Sequence, residues 1–350
     1  MDFLSADSLP WLHSTQQRLR AAVAAQRLPH SLLLLSPLGL GGEQLANWIT
    51  ALTLCESPEP RPCGVCRSCL LLRSDSHPDS YIVRLEEDAR QIKVEQVRGL
   101  IESLALKSYR GGYKVAVIEG AEMLNASSAN AFLKTLEEPT PNTVLVLIAR
   151  PSHRLPATIA SRCLRLTLSP PPTEAAIAWL NTHAHSYRRD GAEGGSGAQI
   201  PPQAAKTSAQ PSWGAALALA GGAPLLALEL DAAGVAVLDA QMQESLRQLA
   251  TGSVDVTLLA ERWMQSDPGL RILWLENWIT RRVHEWIGAG TSPQSAEPVG
   301  LPAALLKPKI RALFELLDAA RELRRLASTG MNQQLALEAL LLGGHTALSN

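Results

Sequence analysis

The stretch from Lys114 to Cys163 reads KVAVIEGAEMLNASSANAFLKTLEEPTPNTVLVLIARPSHRLPATIASRC, and its hydrophobic pattern decides the fold. Val115-Ala116-Val117-Ile118 is an apolar run between Lys114 and Glu119, the signature of a strand buried on both faces of a parallel sheet. A helix follows, apolar at Ala129, Phe132, Leu133 and Leu136 and stopped by Pro139. Val144 to Ile148 is a second buried strand, and the stretch closes on Ser161-Arg162-Cys163, an arginine between two small residues near a strand start. Two parallel buried strands joined by a helix make a βαβ unit. The class is α/β.

Toward the N-terminus, Leu32 to Leu35 is another all-apolar strand, followed by the glycine-rich turn SPLGLGGE (Ser36 to Glu43) and a helix. A phosphate-binding loop belongs at that junction. It needs glycines so that backbone N–H groups converge on phosphate, a lysine for the terminal phosphates, and a Ser or Thr for Mg²⁺. Gly39 and Gly41 meet the first need, but Gly42 stands at the lysine position and Glu43 at the hydroxyl position. A carboxylate there satisfies the helix dipole and repels a triphosphate. An ordinary strand-to-helix turn is the plain alternative.

Cys55, Cys63, Cys66 and Cys69 follow with C-x7-C-x2-C-x2-C spacing. Two-residue gaps let turns aim successive sulfurs at one centre, and four thiolates fill a tetrahedral zinc shell with no open position, so the metal would be structural. Reactive thiols or a redox pair are the alternatives. His77, before a strand in HPDSYIVRLEE, reads as a polar turn residue rather than a fifth ligand. Cys163 lies far from the tetrad and reads as a small buried neighbour of Arg162.

At 350 residues the chain is long enough for two or three domains, and its 46% hydrophobic content suits packed cores. No apolar run is long enough to span a membrane, and MDFLSADSLPWLH lacks the features of a signal peptide, so a cytoplasmic protein is expected. Lys plus Arg (32) balances Asp plus Glu (33), with a pI near 6.7. That balance argues against a dedicated nucleic-acid binder with a strong basic field. Past Pro170-Pro171-Pro172 the pattern turns helical, with a helix over 173–185, a Gly/Ser/Pro/Gln-rich flexible insertion at about 186–212, and helices resuming at Trp213. Trp274, Trp278, Arg281 and Arg282 resemble a ligand patch, but their three- and four-residue spacing reads as a helix–helix seam.

NASSANAFLKTLEEP followed by LPATIASRC resembles the AAA+ clamp-loader family of bacterial DNA polymerase III. The resemblance implies a RecA-like AAA+ core over 1–168 with a zinc module at about 55–70. A helical lid over 169–233 and an all-α collar over 234–350 would follow. It puts Glu119 at the magnesium-binding aspartate, Gly120 at the catalytic glutamate, Ala149 at sensor 1 and Pro224 or Leu225 at the sensor-2 arginine. With Gly39, Gly41 and Gly42 then a vestigial phosphate loop, ATP is not expected to bind productively and no intrinsic ATPase is expected. Arg162 would act in trans on ATP held by a neighbouring subunit, and Cys55, Cys63, Cys66 and Cys69 would hold structural zinc. The implied partners are the gamma/tau motor subunits, the delta subunit, the sliding clamp (weakly) and primed DNA within the complex, with no membrane. The rivals are an ATP-hydrolysing motor subunit of the same fold and a zinc-ribbon nucleic-acid module.

Overall fold

A computed structural model describes residues 8–86, 89, 91–151, 155–190, 213–232, 234–265, 268–288, 303–326 and 333–348. The chain clusters into two compact units, one comprising Met1–Pro172 with Ala223–Leu226, the other Thr173–Gly222 with Ala227–Asn350.

The first unit is built on a five-stranded parallel sheet of order β2-β3-β4-β1-β5. Its strands are β1 (Ser31–Leu35), β2 (Ser80–Val83), β3 (Lys114–Glu119), β4 (Thr143–Ala149) and β5 (Leu164–Thr167). The three apolar runs of the sequence are the three inner strands. They can be apolar throughout because helices cover both faces, and β4 is buried at every position. The edge strands are less apolar and more exposed: in β5 only Leu166 is buried. The helices of this unit are α1 (His13–Ala24), α2 (Gly42–Leu54), α3 (Arg67–Arg73), α4 (Val94–Ala105), α5 (Ala126–Glu137) and the single turn α6 (Ala157–Ala160).

Helix α5 illustrates how local chemistry sets the elements. Asn125 caps its start, with Oδ1 accepting from the Ser128 N–H at 2.8 Å, which satisfies one of the donors a helix start leaves open. It ends at Glu137, and Glu138 has left the helical region ahead of Pro139, at φ −130° and ψ 71°, as the residue before a proline prefers. Between these stops Ala129, Phe132 and Leu136 are buried against Leu33, Ile118, Leu145 and Leu147 of the sheet and Val97 and Leu100 of α4. Because all five strands run the same way, the loops that leave β1, β3 and β4 emerge at one edge of the sheet. There the Ser36 N–H donates to the Ala149 carbonyl at 2.9 Å. That edge is where ligands of open parallel sheets bind.

The second unit is helical: α7 (Thr173–Asp190), α8 (Trp213–Leu219), α9 (Pro224–Ala232, whose first residues cluster with the sheet), α10 (Val235–Ala250), α11 (Val256–Gln265), α12 (Pro268–Gly288), α13 (Ala303–Leu326) and α14 (Gln333–Leu348). Helix α7 runs to Asp190 instead of ending at His185, so residues 186–190 of the expected insertion are helical. SYRRD holds no glycine or proline, and nothing breaks the helix before Gly191. The rest of that insertion, 191–212, lies outside the described residues, as do residues 289–300. Trp274 is core, as its spacing implied: it is 2% exposed, and its indole N–H donates to Asp239 Oδ1 at 2.8 Å. Arg281 and Arg282 face outward, Arg282 lying 5.4 Å over the Trp278 ring. Among the described residues no single helix is long and apolar enough to cross a membrane.

Candidate functional site: phosphate loop, cysteine tetrad and outward arginine

The loop from Ser36 to Glu43 has the turn its glycines predict. Gly39 and Gly41 lie at φ +77° and +86°, a region that side-chain-bearing residues rarely enter. Gly41 caps the N-terminus of α2, with Gly42 and Glu43 in its first turn. The glycines of this loop lie closely against the chain's own leucines. A Cβ at Gly41 would stand 2.7 Å from Leu9 Cδ1, and one at Gly39 would stand 2.4 Å from Leu226 Cβ. The Gly39 carbonyl accepts from the Leu225 N–H at 3.2 Å, and the Leu40 carbonyl accepts from the Trp11 indole N–H at 2.9 Å. Gly42 is confined as well: a Cβ there would meet Ser36 Cβ and Oγ at 2.6 Å.

At the ends of β3 and β4 the acids are engaged with arginines. Glu119 accepts from Arg84 Nε at 2.8 Å. Gly120 turns the chain at φ +73° and carries no side chain with which to activate water. Glu122, two residues on, has a side chain 2% exposed whose Oε1 lies 3.8 Å from Arg150 Nε. Ala149 is buried and apolar.

The cysteine tetrad is assembled by the end of α2 and the start of α3. Cys55 follows the last residue of α2, Cys66 is the N-cap of α3, and Cys69 lies in its first turn. The four Sγ atoms lie within 4.8 Å of one another, with Cys55 to Cys66 at 3.9 Å and Cys63 to Cys69 at 4.0 Å. Four sulfurs bound at the usual zinc distance would be about 3.8 Å apart, so the tetrad has the size of a tetrahedral zinc shell. Backbone N–H groups back the sulfurs: Cys63 to Cys55 at 3.4 Å, Cys66 to Cys63 at 3.3 Å and Cys69 to Cys66 at 3.4 Å. N–H groups of Val65 and Cys66 hold the Cys63 thiol down, to about 6. Burial pushes Cys55 and Cys69 up, and a bound cation would favour their thiolates. The donor set can bind a metal ion and fits zinc.

His77 lies outside this shell and is more than a turn residue. It is 6% exposed; its Nδ1 accepts from the Asp79 N–H at 3.1 Å, and Nε2 lies 2.8 Å from Ser68 Oγ. An acceptor Nδ1 requires the proton on Nε2, so a neutral imidazole donates to Ser68, which donates to the Leu54 carbonyl at 2.7 Å. Asp79, which the pattern of residues did not single out, is 1% exposed. It accepts from the N–H groups of Tyr109 and Arg110 and from Ser108 Oγ at 2.7, 3.0 and 3.1 Å.

Arg162 sits after α6, two residues before β5, with its side chain 34% exposed. Its Nε donates to Glu137 Oε1 at 2.7 Å, and Nη2 pairs with the same oxygen. Nη1 donates to the Thr158 carbonyl at 2.8 Å and lies 3.4 Å from Ser161 Oγ. Cys163, half-buried against the core, has its thiol pushed up to about 11 by burial. Phosphate loop, tetrad and Arg162 belong to one unit but are separate features of it. The leucines packed against the loop glycines and the Glu137 partner of Arg162 were invisible in the motifs.

A family model described as "DNA polymerase III, delta subunit" matches residues 11–172, a span that contains every candidate site residue from Gly39 to Arg162. The DNA polymerase III subunit delta-prime of Pseudomonas aeruginosa is 32% identical over 344 residues, 96% of this chain and 97% of that protein. The chain belongs to the DNA polymerase III delta-prime family. The Escherichia coli delta-prime subunit is likewise 32% identical, over 95% of this chain and 94% of its own. These two delta-prime subunits are matched over nearly their whole length, helical unit included. Among solved structures, a DNA polymerase III gamma-subunit-related protein from Thermotoga maritima aligns with a TM-score of 0.44 and 16% identity, covering 95% of this chain and 99% of that one.

Proposed function

We propose that this chain is the non-hydrolysing, stator-type subunit of a DNA polymerase III clamp loader. In this reading it braces a ring of AAA+ subunits, supplies Arg162 to ATP bound by its neighbour, and so helps load the sliding clamp onto primed DNA. The observation that carries the reading is a glycine loop that lacks the phosphate-binding side chains and is packed too closely to admit one at 42. Gly42 replaces the lysine, Leu9 and Leu226 crowd Gly41 and Gly39, and Ser36 leaves no room for a side chain at 42. A triphosphate at this loop would meet Glu43 without a compensating lysine. In this reading the chain's own loop is silent and the Arg162 guanidinium serves another subunit's nucleotide. Arginine suits that role because its planar, permanently charged fork stabilises charge on a transferring phosphoryl group.

Under the same reading Cys55, Cys63, Cys66 and Cys69 hold structural zinc, the core, lid and collar divide near residues 168 and 233, and the chain works in the cytoplasm. Its partners are gamma/tau motor subunits, the delta subunit, the clamp and, within the complex, primed DNA. The test has two parts. Equilibrium dialysis with an ATP analogue and Mg²⁺ should detect no tight binding to the isolated chain; tight binding would favour a motor subunit instead. Replacing Arg162 with alanine in a reconstituted loader should cut DNA-stimulated ATP turnover by roughly 10²-fold or more, and unchanged turnover would remove the trans role.

A further inference from the structure

We propose that Glu137 is a positioning residue for Arg162, gripping one edge of the guanidinium so that the other is presented at a fixed place. The proposal rests on the trans role of Arg162 given above. A guanidinium has five N–H donors. Toward the described residues, Glu137 Oε1 takes Nε–H and one Nη2 hydrogen, and the Thr158 carbonyl and Ser161 Oγ receive Nη1. The Nη2 hydrogen turned away from Glu137 is the one these contacts leave uncommitted, and the side chain is 34% exposed. An anion arriving from outside would therefore meet Nη2 first, and could take over the long Ser161 contact at 3.4 Å.

The carboxylate's location supports a purpose beyond the helix itself. Glu137 is the last residue of α5, the end at which the helix dipole disfavours negative charge. The dipole gives no reason for an acid at that end, whereas a cation to be held does. The anchor is also rigid. Phe132 and Leu136, five residues and one residue before it, are 0% and 1% exposed and locked against the sheet. A long arginine alone loses much rotamer freedom on reaching one pose, and fixing it beforehand removes that cost from the reaction. A half-exposed ion pair adds little to stability, so the pair should register in turnover rather than in melting.

The experiment uses the reconstituted loader carrying Glu137→Ala, Glu137→Gln, Arg162→Ala or the Glu137/Arg162 double alanine variant. Glu137→Ala is expected to lower DNA-stimulated kcat about tenfold with KM for ATP within about twofold. Glu137→Gln, whose Oε1 still accepts from Nε, should recover a large part of that loss, and the double variant should be no slower than Arg162→Ala alone. Melting of the isolated variants should match the parent. If Arg162→Ala slows the loader while Glu137→Ala does not, or if the two losses multiply, Glu137 does not act through Arg162. A kcat loss accompanied by a lower melting temperature and not rescued by glutamine would assign Glu137 to the fold and also overturn the proposal. Unchanged turnover in Arg162→Ala would instead fault the trans role itself, and the positioning role with it.

Discussion

Ser68 Oγ and His77 Nε2 lie 2.8 Å apart in the interior, and this bond ties the cysteine tetrad to the strand that begins at Ser80. Ser68 stands between Cys66 and Cys69, and His77 opens the turn that Asp79 completes by fastening the 108–110 segment. The link gives His77 a measurable weight. Replacing it with alanine leaves Ser68 Oγ and the Asp79 N–H short of a partner, and should cost about 1–3 kcal/mol in urea unfolding.

The same histidine should make stability depend on pH. Burial holds the folded imidazole below its ordinary pKa near 6.5. At pH values beneath that ordinary value the unfolded chain therefore binds more protons than the folded one, and stability rises with pH across the window. The contribution is present above about pH 6.5 and is lost as pH falls toward the lower folded pKa. Urea midpoints between pH 7.5 and 5 should decline in the parent more steeply than in His77→Gln; equal slopes would refute the assignment.

The tetrad should hold one metal ion per chain. Elemental analysis of Cys66→Ser or Cys69→Ser should show zinc content falling from about one per chain toward zero, with a stability loss of several kcal/mol, roughly 3 or more. A chelator should reproduce the loss in the parent. Full stability after metal removal would mean that the loop between α2 and α3 stands without its cross-link.

Gly42 should resist repair. A Cβ there would sit 2.6 Å from Ser36 Cβ and Oγ, so Gly42→Ala should destabilise by roughly 1–3 kcal/mol through overpacking. Gly42→Lys, which restores the lysine that phosphate loops use, should still fail to bind an ATP analogue in equilibrium dialysis, because Ser36 crowds a side chain at 42 and Glu43 stays at the hydroxyl position.

Cys163 should be slow to react. With its thiol pushed up to about 11 by burial, only about a thousandth is thiolate at pH 8. Alkylation by iodoacetamide, followed by peptide mass spectrometry, should be at least about 50-fold slower in the folded chain than in urea. Comparable rates would show that the site opens freely.

Much of this protein was legible in its linear order. The inner strands announced themselves because a strand covered on both faces must be apolar at every position, and β1, β3 and β4 were read within a residue or two of their ends. The tetrad was legible because metal spacing is a local property: three of its four cysteines lie within seven residues of one another, Cys63 to Cys69. The missing lysine at Gly42 was equally a matter of counting along one loop.

Tertiary structure alone decided what those features touch. Leu9 and Leu226 are far apart in sequence and become neighbours of one glycine-rich loop only when the sheet brings them there. Glu137 meets Arg162 across a separation of 25 residues, and Asp79 meets Tyr109 across 30. No local period encodes such pairs. Hydrophobic patterning records which face of an element is buried, whereas the partner of a single polar group is chosen by packing between elements distant in the chain.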